Sequence, residues 1–127
     1  MKLSVKHYFD AAHQLKDSPD LVTKECARLH GHTYKVIVDV TGKLNNAGMV
    51  VDFKAVKQII DRFDHRYVND VLSEYDIQVQ PTAESIAEVI HGWLENELNL
   101  DVSSVAVCEG YKGEEKASYA IYGRDNV

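Results

Sequence analysis

The chain has 127 residues with 14 basic and 20 acidic side chains, which give a formal net charge of −6. This is the length of one domain, residues 1–127, whose modest core makes self-association into a homo-oligomer a natural way to bury more surface. The acidic balance disfavours nucleic-acid partners, and the sequence has neither a membrane span nor a secretion signal, so we expect a cytoplasmic protein without a membrane partner.

Strict alternation of side chains predicts two long strands in the first third of the chain. The first runs from Lys2 to His13 and the second from His30 to Thr41. Residues 14–29 between them have no period, which is typical of a surface loop, and loops of this length are often functional. The turn-forming residues 45–48 before Met49 to Val51 predict a hairpin with a short third strand.

Two helices and two more strands are predicted in the rest of the chain. Asp52 can cap a helix with apolar residues at three-and-four spacing that ends near Asp64, and Thr82 can cap a second helix that runs to about Asn99. Two alternating segments, joined by a glycine-flanked turn at 110–113, are predicted strands: 102–109 and 117–122. This order predicts an α+β fold, an antiparallel four-stranded sheet with two consecutive helices packed on one face.

A pair of histidines opens the second predicted strand. Because side chains two apart on a strand point to the same face, His30 and His32 project side by side. Antiparallel pairing can bring His13, at the end of the preceding strand, across from this pair. Three imidazoles suffice for a zinc ion that keeps a fourth position open to water or substrate. The alternative is that all three are ordinary strand histidines.

Cys26 lies four residues before His30, between Lys24 and Arg28. A thiol near these cations and a metal would have its thiolate favoured and could act as a base or nucleophile. Alternatively, Cys26 is a fourth ligand in a closed structural zinc site, or a small apolar loop residue, and the spacing does not decide between these. Cys108 is predicted to lie in the core or at an interface.

Three further side chains are candidates for acid and base chemistry. Asp64 and His65 are adjacent just past the first helix, where they serve either a site or simply the helix end. Glu109 continues the apolar face of a predicted strand, and a carboxylate there must be paired, hydrogen-bonded or at a site, unless it is an exposed acid where the strand ends. His7 and His91 have no predicted role.

Together these features resemble the 6-pyruvoyl-tetrahydropterin synthase family over nearly the whole chain. The matching features are, in chain order, His13, the Cys-x3-His-Gly-His run from Cys26 to His32, Val51-Asp52-Phe53 at a helix start, Asp64-His65, Asn69-Asp70, Pro81 to Glu84, and Glu109. The three-residue gap between Cys26 and His30 is similar to the 6-carboxy-tetrahydropterin synthase branch, whose product feeds 7-deazaguanine and queuosine biosynthesis. The resemblance implies the tunnelling fold (T-fold), in which subunits join their sheets into barrels, commonly as a dimer of trimers.

The same resemblance implies a zinc-dependent reaction. The zinc ligands would be His13, His30 and His32; the proton acceptor would be Cys26; its relay would be His65 and Asp64; and the pterin anchor or a further relay member would be Glu109. The substrate would be 7,8-dihydroneopterin triphosphate, converted to 6-carboxy-5,6,7,8-tetrahydropterin, acetaldehyde and triphosphate. We expect Lys24 and Arg28 to meet the triphosphate, with Lys16 or Arg66 as further candidates. One departure is Gly110, where the family usually has threonine.

Two alternatives remain open from the residues. The first is a pterin enzyme with the same site that eliminates triphosphate to give 6-pyruvoyl-tetrahydropterin. The second is a non-catalytic module in which Cys26 joins the three histidines in a closed, four-ligand zinc site.

Overall fold

In a computed structural model that describes residues 1–124, one five-stranded sheet carries three α-helices. The strands are β1 (Lys2–His13), β2 (His30–Thr41), β3 (Arg66–Tyr67), β4 (Asp101–Glu109) and β5 (Ala120–Gly123). The helices are α1 (Phe53–Ile60), α2 (Val68–Glu74) and α3 (Ala83–Leu98). The sheet order is β3-β1-β2-β4-β5, antiparallel throughout except that β3 pairs with β1 in parallel. The predicted α+β architecture, with four antiparallel strands, is confirmed.

The apolar face of the sheet packs against the helices to form the core. Alternation along β1 and β2 buries the side chains at Val5, Phe9 and Tyr34. The ring of Phe9 stacks on Tyr34 at 4.7 Å and on Phe63 at 5.5 Å between centroids, which ties the sheet to the segment after α1. None of the helices within residues 1–124 is long and apolar enough to cross a membrane.

Caps define the helix boundaries much as the sequence predicts. The Asp52 carboxylate accepts a hydrogen bond from the Lys54 amide at the start of α1, and the Thr82 hydroxyl accepts one from the Ser85 amide at the start of α3. Asn99 ends α3 in the left-handed conformation, φ 54°. The first helix is shorter than predicted, because residues 61–63 tighten into a 3-10 turn before Asp64.

The predicted hairpin at Met49 to Val51 is wrong, because no strand forms there. Instead, the side chain of Asn45 accepts hydrogen bonds from the amides of Ala47 and Met49, and the Asn45 amide donates to the Met49 carbonyl. These local bonds replace a strand ladder, which is the usual way that asparagine competes with regular structure. Val50 and Val51 are partly buried against the core.

Two elements in residues 66–74 were not predicted, so the sheet has a fifth strand and the fold a third helix. β3 is two residues long and, within residues 1–124, pairs only with Ala11 and Ala12 of β1. α2 follows it directly and buries Val68, Val71 and Leu72. The last strand begins at Ala120, three residues later than predicted, and residues 114–116 before it form a 3-10 turn.

Candidate metal centre and surrounding groups

Three histidine rings converge where β1 ends and β2 begins. His13 stands opposite His30 in the antiparallel register, and His32 lies two residues farther along β2 on the same face. The centroids of the three rings are 4.5 to 5.1 Å apart, and the Nε2 atoms of His13 and His30 are 2.9 Å apart. The predicted convergence of the three imidazoles is therefore present in the structure.

Backbone carbonyls orient two of these rings. Nδ1 of His13 donates a hydrogen bond to the carbonyl of Pro81 at 2.6 Å, and Nδ1 of His30 donates to the carbonyl of Arg28 at 2.6 Å. In a neutral imidazole this assignment leaves Nε2 unprotonated and available as a ligand. Two such lone pairs facing each other at 2.9 Å require a shared proton or a cation between them.

Glu109 brings a carboxylate to the same point. Its Oε1 lies 3.1 Å from Nε2 of His32 and 3.8 Å from Nε2 of His13. Nε2 of His32 is buried and makes no aligned hydrogen bond within residues 1–124, so its approach to Glu109 is a close contact without hydrogen-bond geometry. Burial lowers the pKa of His32, Glu109 opposes this effect, and the other two imidazoles add to it.

The four side chains fit a divalent cation. One ligand atom from each of His13, His30, His32 and Glu109 lies within 4.8 Å of all the others. A tetrahedral zinc ion with Zn–N bonds of about 2.0 to 2.1 Å requires ligand atoms about 3.3 Å apart, so the observed contacts need only small adjustments. Imidazole nitrogen with one carboxylate is a donor set that suits zinc and several neighbouring metals.

Tyr34 forms the buried floor of this cluster. Its ring meets His13 and His32 edge-on, at 6.1 and 5.7 Å between centroids, and the residue is fully buried. Burial raises the pKa of Tyr34, and the charge of Glu109 raises it further, so the phenol stays neutral beneath the cluster. Its hydroxyl has no hydrogen-bond partner within residues 1–124, and a buried aromatic floor of this kind strengthens electrostatic interactions above it.

Cys26 lies outside the metal group. It belongs to a 3-10 turn, Lys24–Ala27, in the loop between β1 and β2, and it is partly buried. Its carbonyl accepts a hydrogen bond from the amide of Leu15 at 3.0 Å. Within residues 1–124, the histidine and glutamate cluster does not include Cys26, so the structure does not form a closed site of one thiol and three imidazoles.

Asp64 and His65 form a second polar group with Asp10. The Asp64 carboxylate accepts a hydrogen bond from the Asp10 amide at 3.0 Å and lies 3.0 Å from Nδ1 of His65. The amide of His65 donates to the Asp10 carbonyl at 2.7 Å, and His65 has φ 57°. Although partial burial alone would raise it, these two partners hold the pKa of Asp64 below its usual value. The left-handed backbone brings the adjacent His65 and Asp64 side chains together, which sequence spacing does not indicate.

An open cleft of 660 Å³ lies beside the Asp10, Asp64 and His65 group. Its lining includes Asp10, Thr33, His65 and Arg66, and it reaches His32, whose side chain lies on the opposite face of β2 from that of Thr33. The Thr33 hydroxyl donates to the Asp10 carboxylate at 2.5 Å, which fixes one wall. Neither Asp10 nor Thr33 was predicted as a site residue, and only their positions beside Ala11 and His32 in the strands could have indicated them.

The predicted cations differ in their present partners. Lys24 forms a salt bridge with Asp17 at 2.7 Å on the surface, and Arg66 forms a bidentate salt bridge with Glu74 at 2.6 and 2.9 Å. Arg28 is exposed and follows the turn that carries Cys26, and it has no ion pair within residues 1–124. Lys16 likewise has none in the described part of the chain. Arg28 and Lys16 are therefore the predicted cations with a free charge.

The remaining sequence candidates have structural positions. Cys108 is almost fully buried, in agreement with the predicted core position. His7 contacts Asp61 at 2.7 Å, and His91 is buried with Nε2 against the Val102 carbonyl at 3.1 Å. Gly110, directly after Glu109, has φ 70°, a conformation that would strain threonine, and a Cβ there would lie 3.5 Å from Nδ1 of His32.

Comparisons with known proteins place the chain in a family. The family model described as 6-pyruvoyl tetrahydropterin synthase matches residues 2–124. The chain is 33% identical, over 85% of its length and 92% of the other, to 6-carboxy-5,6,7,8-tetrahydropterin synthase of Haemophilus influenzae. It is 36% identical, over 62% of its length and 61% of the other, to dihydroneopterin monophosphate aldolase of Pyrococcus furiosus.

A solved structure supports the fold. The 6-pyruvoyl tetrahydropterin synthase of Caenorhabditis elegans superimposes with a TM-score of 0.63 and 23% sequence identity, over 97% of this chain and 94% of that one. The predicted T-fold is thereby confirmed.

Proposed function

Since the chain belongs to the 6-pyruvoyl tetrahydropterin synthase family, we propose that it is the zinc-dependent lyase that converts 7,8-dihydroneopterin triphosphate to 6-carboxy-5,6,7,8-tetrahydropterin. The other products are acetaldehyde and triphosphate, and the pterin product feeds 7-deazaguanine and queuosine biosynthesis in the cytoplasm. The relative from Haemophilus influenzae supports this reaction, because the match covers 92% of that protein and its name states the product.

The observation that carries the proposal is the arrangement of four ligand atoms with Cys26 held apart. Three imidazole nitrogens and the Glu109 carboxylate converge, while the thiol stays on its own turn outside the group. A structural site of one cysteine and three histidines needs the thiol at the metal, whereas a catalytic site keeps a position that substrate can take. If Glu109 leaves the cluster for the substrate, that position becomes open.

The proposed roles follow from the chemistry of each side chain. His13, His30 and His32 would hold the zinc through Nε2, with the first two fixed by their carbonyl partners. When bound, the zinc would act as a Lewis acid and acidify hydroxyl groups of the substrate side chain. Glu109 would receive the N–H edge of the pterin ring, because a carboxylate accepts paired hydrogen bonds from a guanidine-like edge.

Proton transfer is assigned to Cys26 and His65. Cys26 would accept a proton from the substrate side chain, since a thiol has a pKa close enough to neutrality for general base work. His65 would pass that proton on, and Asp64, ionised at neutral pH and in contact with the ring, would orient it.

We also propose that the protein works as a homo-hexamer, a dimer of trimers. Within residues 1–124, β5 is the last strand of the sheet, and β1 is covered by β3 only at Ala11 and Ala12. Open edges of this length are usually covered by another element or another chain. Pairing β5 of one subunit with β1 of the next would close the sheets into a barrel.

Two variants test the proposal against a structural zinc site. Cys26→Ala is expected to retain one zinc per chain and its fold while losing turnover of 7,8-dihydroneopterin triphosphate. His32→Ala is expected to lose both metal and turnover. Metal analysis and steady-state assays on the two proteins decide the matter. Loss of zinc in Cys26→Ala, or full activity in that variant, would refute the assigned role of the thiol.

A further inference from the structure

Two side-chain amides clasp the segment that follows the first metal ligand. Asn69, at the start of α2, accepts a hydrogen bond from the Gln14 amide at 3.1 Å and donates one to the Gln14 carbonyl at 2.8 Å. Gln80 does the same for Lys16, accepting from its amide and donating to its carbonyl, both at 2.8 Å. Each side-chain amide thus binds both the N–H and the C=O of a single residue, as a neighbouring β-strand would.

The opposite edge of the same segment holds the turn that carries Cys26. The amide of Leu15 donates to the Cys26 carbonyl at 3.0 Å, and the Gln14 side chain donates to the Ala27 carbonyl at 2.9 Å. Residues 14–16 are therefore bonded to Asn69 and Gln80 on one side and to the Cys26 turn on the other. Any shift of this segment moves the main chain at Cys26.

We propose that Asn69 and Gln80 are positioning residues that set the place of Cys26 relative to the metal cluster through residues 14–16. Neither amide needs to touch substrate for this role. Gln80 also precedes Pro81, whose carbonyl accepts a hydrogen bond from His13 at 2.6 Å. Residues 80 and 81 therefore bind both the metal ligand His13 and the segment that holds the Cys26 turn. The inference rests on the catalytic role proposed for Cys26.

The orientation of the amides makes the idea testable with isosteric changes. Asn69→Asp and Gln80→Glu keep the oxygen that accepts from the main chain but replace the donor by a second oxygen, which then faces the carbonyl of Gln14 or Lys16. Two like-signed oxygens at hydrogen-bond distance repel, so each change releases the segment rather than leaving a void. The loop should then hold Cys26 less rigidly.

Three measurements on the full-length, zinc-loaded variants test the proposal. First, kcat for 7,8-dihydroneopterin triphosphate should fall by about tenfold to 100-fold with little change in KM, since a displacement near 1 Å costs about 100-fold. Second, iodoacetamide should alkylate Cys26 severalfold faster, as followed by peptide mass spectrometry. Third, the zinc content should remain that of the unsubstituted protein. The controls are Gln78→Glu and Asn96→Asp, which make the same charge changes at exposed amides with no bonds to the segment.

The outcomes separate this inference from the proposed function. If Asn69→Asp and Gln80→Glu match the controls in kcat and in the alkylation rate of Cys26, the inference is overturned. Loss of zinc in both Asn69→Asp and Gln80→Glu would also overturn it, because the amides would then support His13 rather than the thiol. Full activity in Cys26→Ser would instead refute the proposed function. The rates of Cys26 alkylation test the role of Asn69 and Gln80 independently, because they are measured without substrate turnover.

Discussion

Zinc should stabilise the folded protein, and His32→Ala should remove most of that effect. The ligand atoms are already close, with Nε2 of His13 and His30 2.9 Å apart and Oε1 of Glu109 3.1 Å from Nε2 of His32. A tetrahedral zinc site needs separations of about 3.3 Å, so loading requires movements of a few tenths of an ångström. The folded chain is therefore preorganised, and binding adds to the free energy of unfolding.

The size of the effect follows from linkage. Free zinc at about 1,000 times its Kd adds about 4.1 kcal/mol to the free energy of unfolding. Unfolding entropy of about 2.1 cal/mol/K per residue near 60 °C gives about 0.27 kcal/mol/K for 127 residues. The melting temperature should thus rise by about 15 °C between protein in chelator and protein with excess zinc. Differential scanning calorimetry at fixed protein concentration measures this shift.

His7→Ala is the matched control, because His7 lies on the same strand and face as His13 but pairs with Asp61 outside the cluster. It should keep the full zinc-dependent shift, whereas His32→Ala should lose most of it. The reasoning is refuted if the unsubstituted protein melts at the same temperature with zinc as with chelator. It is equally refuted if His32→Ala and His7→Ala respond alike.

Three other predictions address triphosphate binding, the pH dependence of stability and the packing of the core. Arg28→Ala should raise KM for the triphosphate markedly, and Lys24→Ala should raise it less because Lys24 already pairs with an aspartate; an unchanged KM in Arg28→Ala would contradict the assignment. Partial burial would raise the pKa of Asp64, but the hydrogen bond from the Asp10 amide lowers it below its usual value. A carboxyl group with a lowered pKa in the folded state stabilises the protein at pH values above its unfolded pKa of about 3.9. This stabilisation is lost as the pH falls through the lower pKa of the folded state. Asp64→Asn should therefore reduce stability to urea at pH 7 but make little difference well below about pH 4, and a deficit independent of pH would count against this. Phe63→Ala, which removes a fully buried ring, should cost about 3 to 5 kcal/mol in the same urea assay, and a loss below about 1 kcal/mol would show that the ring stack contributes little.

Local patterns predicted the long strands, the last helix and the convergence of three histidines. The period of two in β1 and β2 fixes which side chains share a face, so His13, His30 and His32 could be brought together once the strands were paired. The predicted cap at Thr82 and the predicted end near Asn99 likewise bounded α3 within a residue. These features depend on residues near one another in sequence or on a single strand pairing.

Features that depend on tertiary context were missed. β3 has two residues and exists only because β1 offers Ala11 and Ala12 as partners. The apolar spacing of Val68, Val71 and Leu72 was visible in the sequence, yet seven residues are too few for a helix without tertiary packing. The contact between Asp64 and His65 requires a positive φ, and the pairing of Arg66 with Glu74 removes a cation that composition alone leaves free.

The side-chain amides of Asn69 and Gln80 show why positioning residues are the hardest to predict from sequence. Asn69 binds main chain 55 residues away, and Gln80 binds main chain 64 residues away. Asn69 belongs to the pair Asn69-Asp70 that matches the family, but neither residue type nor spacing indicates that Asn69 or Gln80 binds the main chain of residues 14–16. Only the fold reveals that both meet the segment leading from His13 to Cys26.

Product identification tests the central claim most directly. The zinc-loaded protein is incubated with 7,8-dihydroneopterin triphosphate, and the products are identified by mass spectrometry. The account predicts 6-carboxy-5,6,7,8-tetrahydropterin, acetaldehyde and triphosphate in equal amounts. Release of triphosphate with a pyruvoyl pterin would contradict the proposed reaction while leaving the metal site intact, and absence of any turnover by zinc-loaded protein would contradict the catalytic account as a whole.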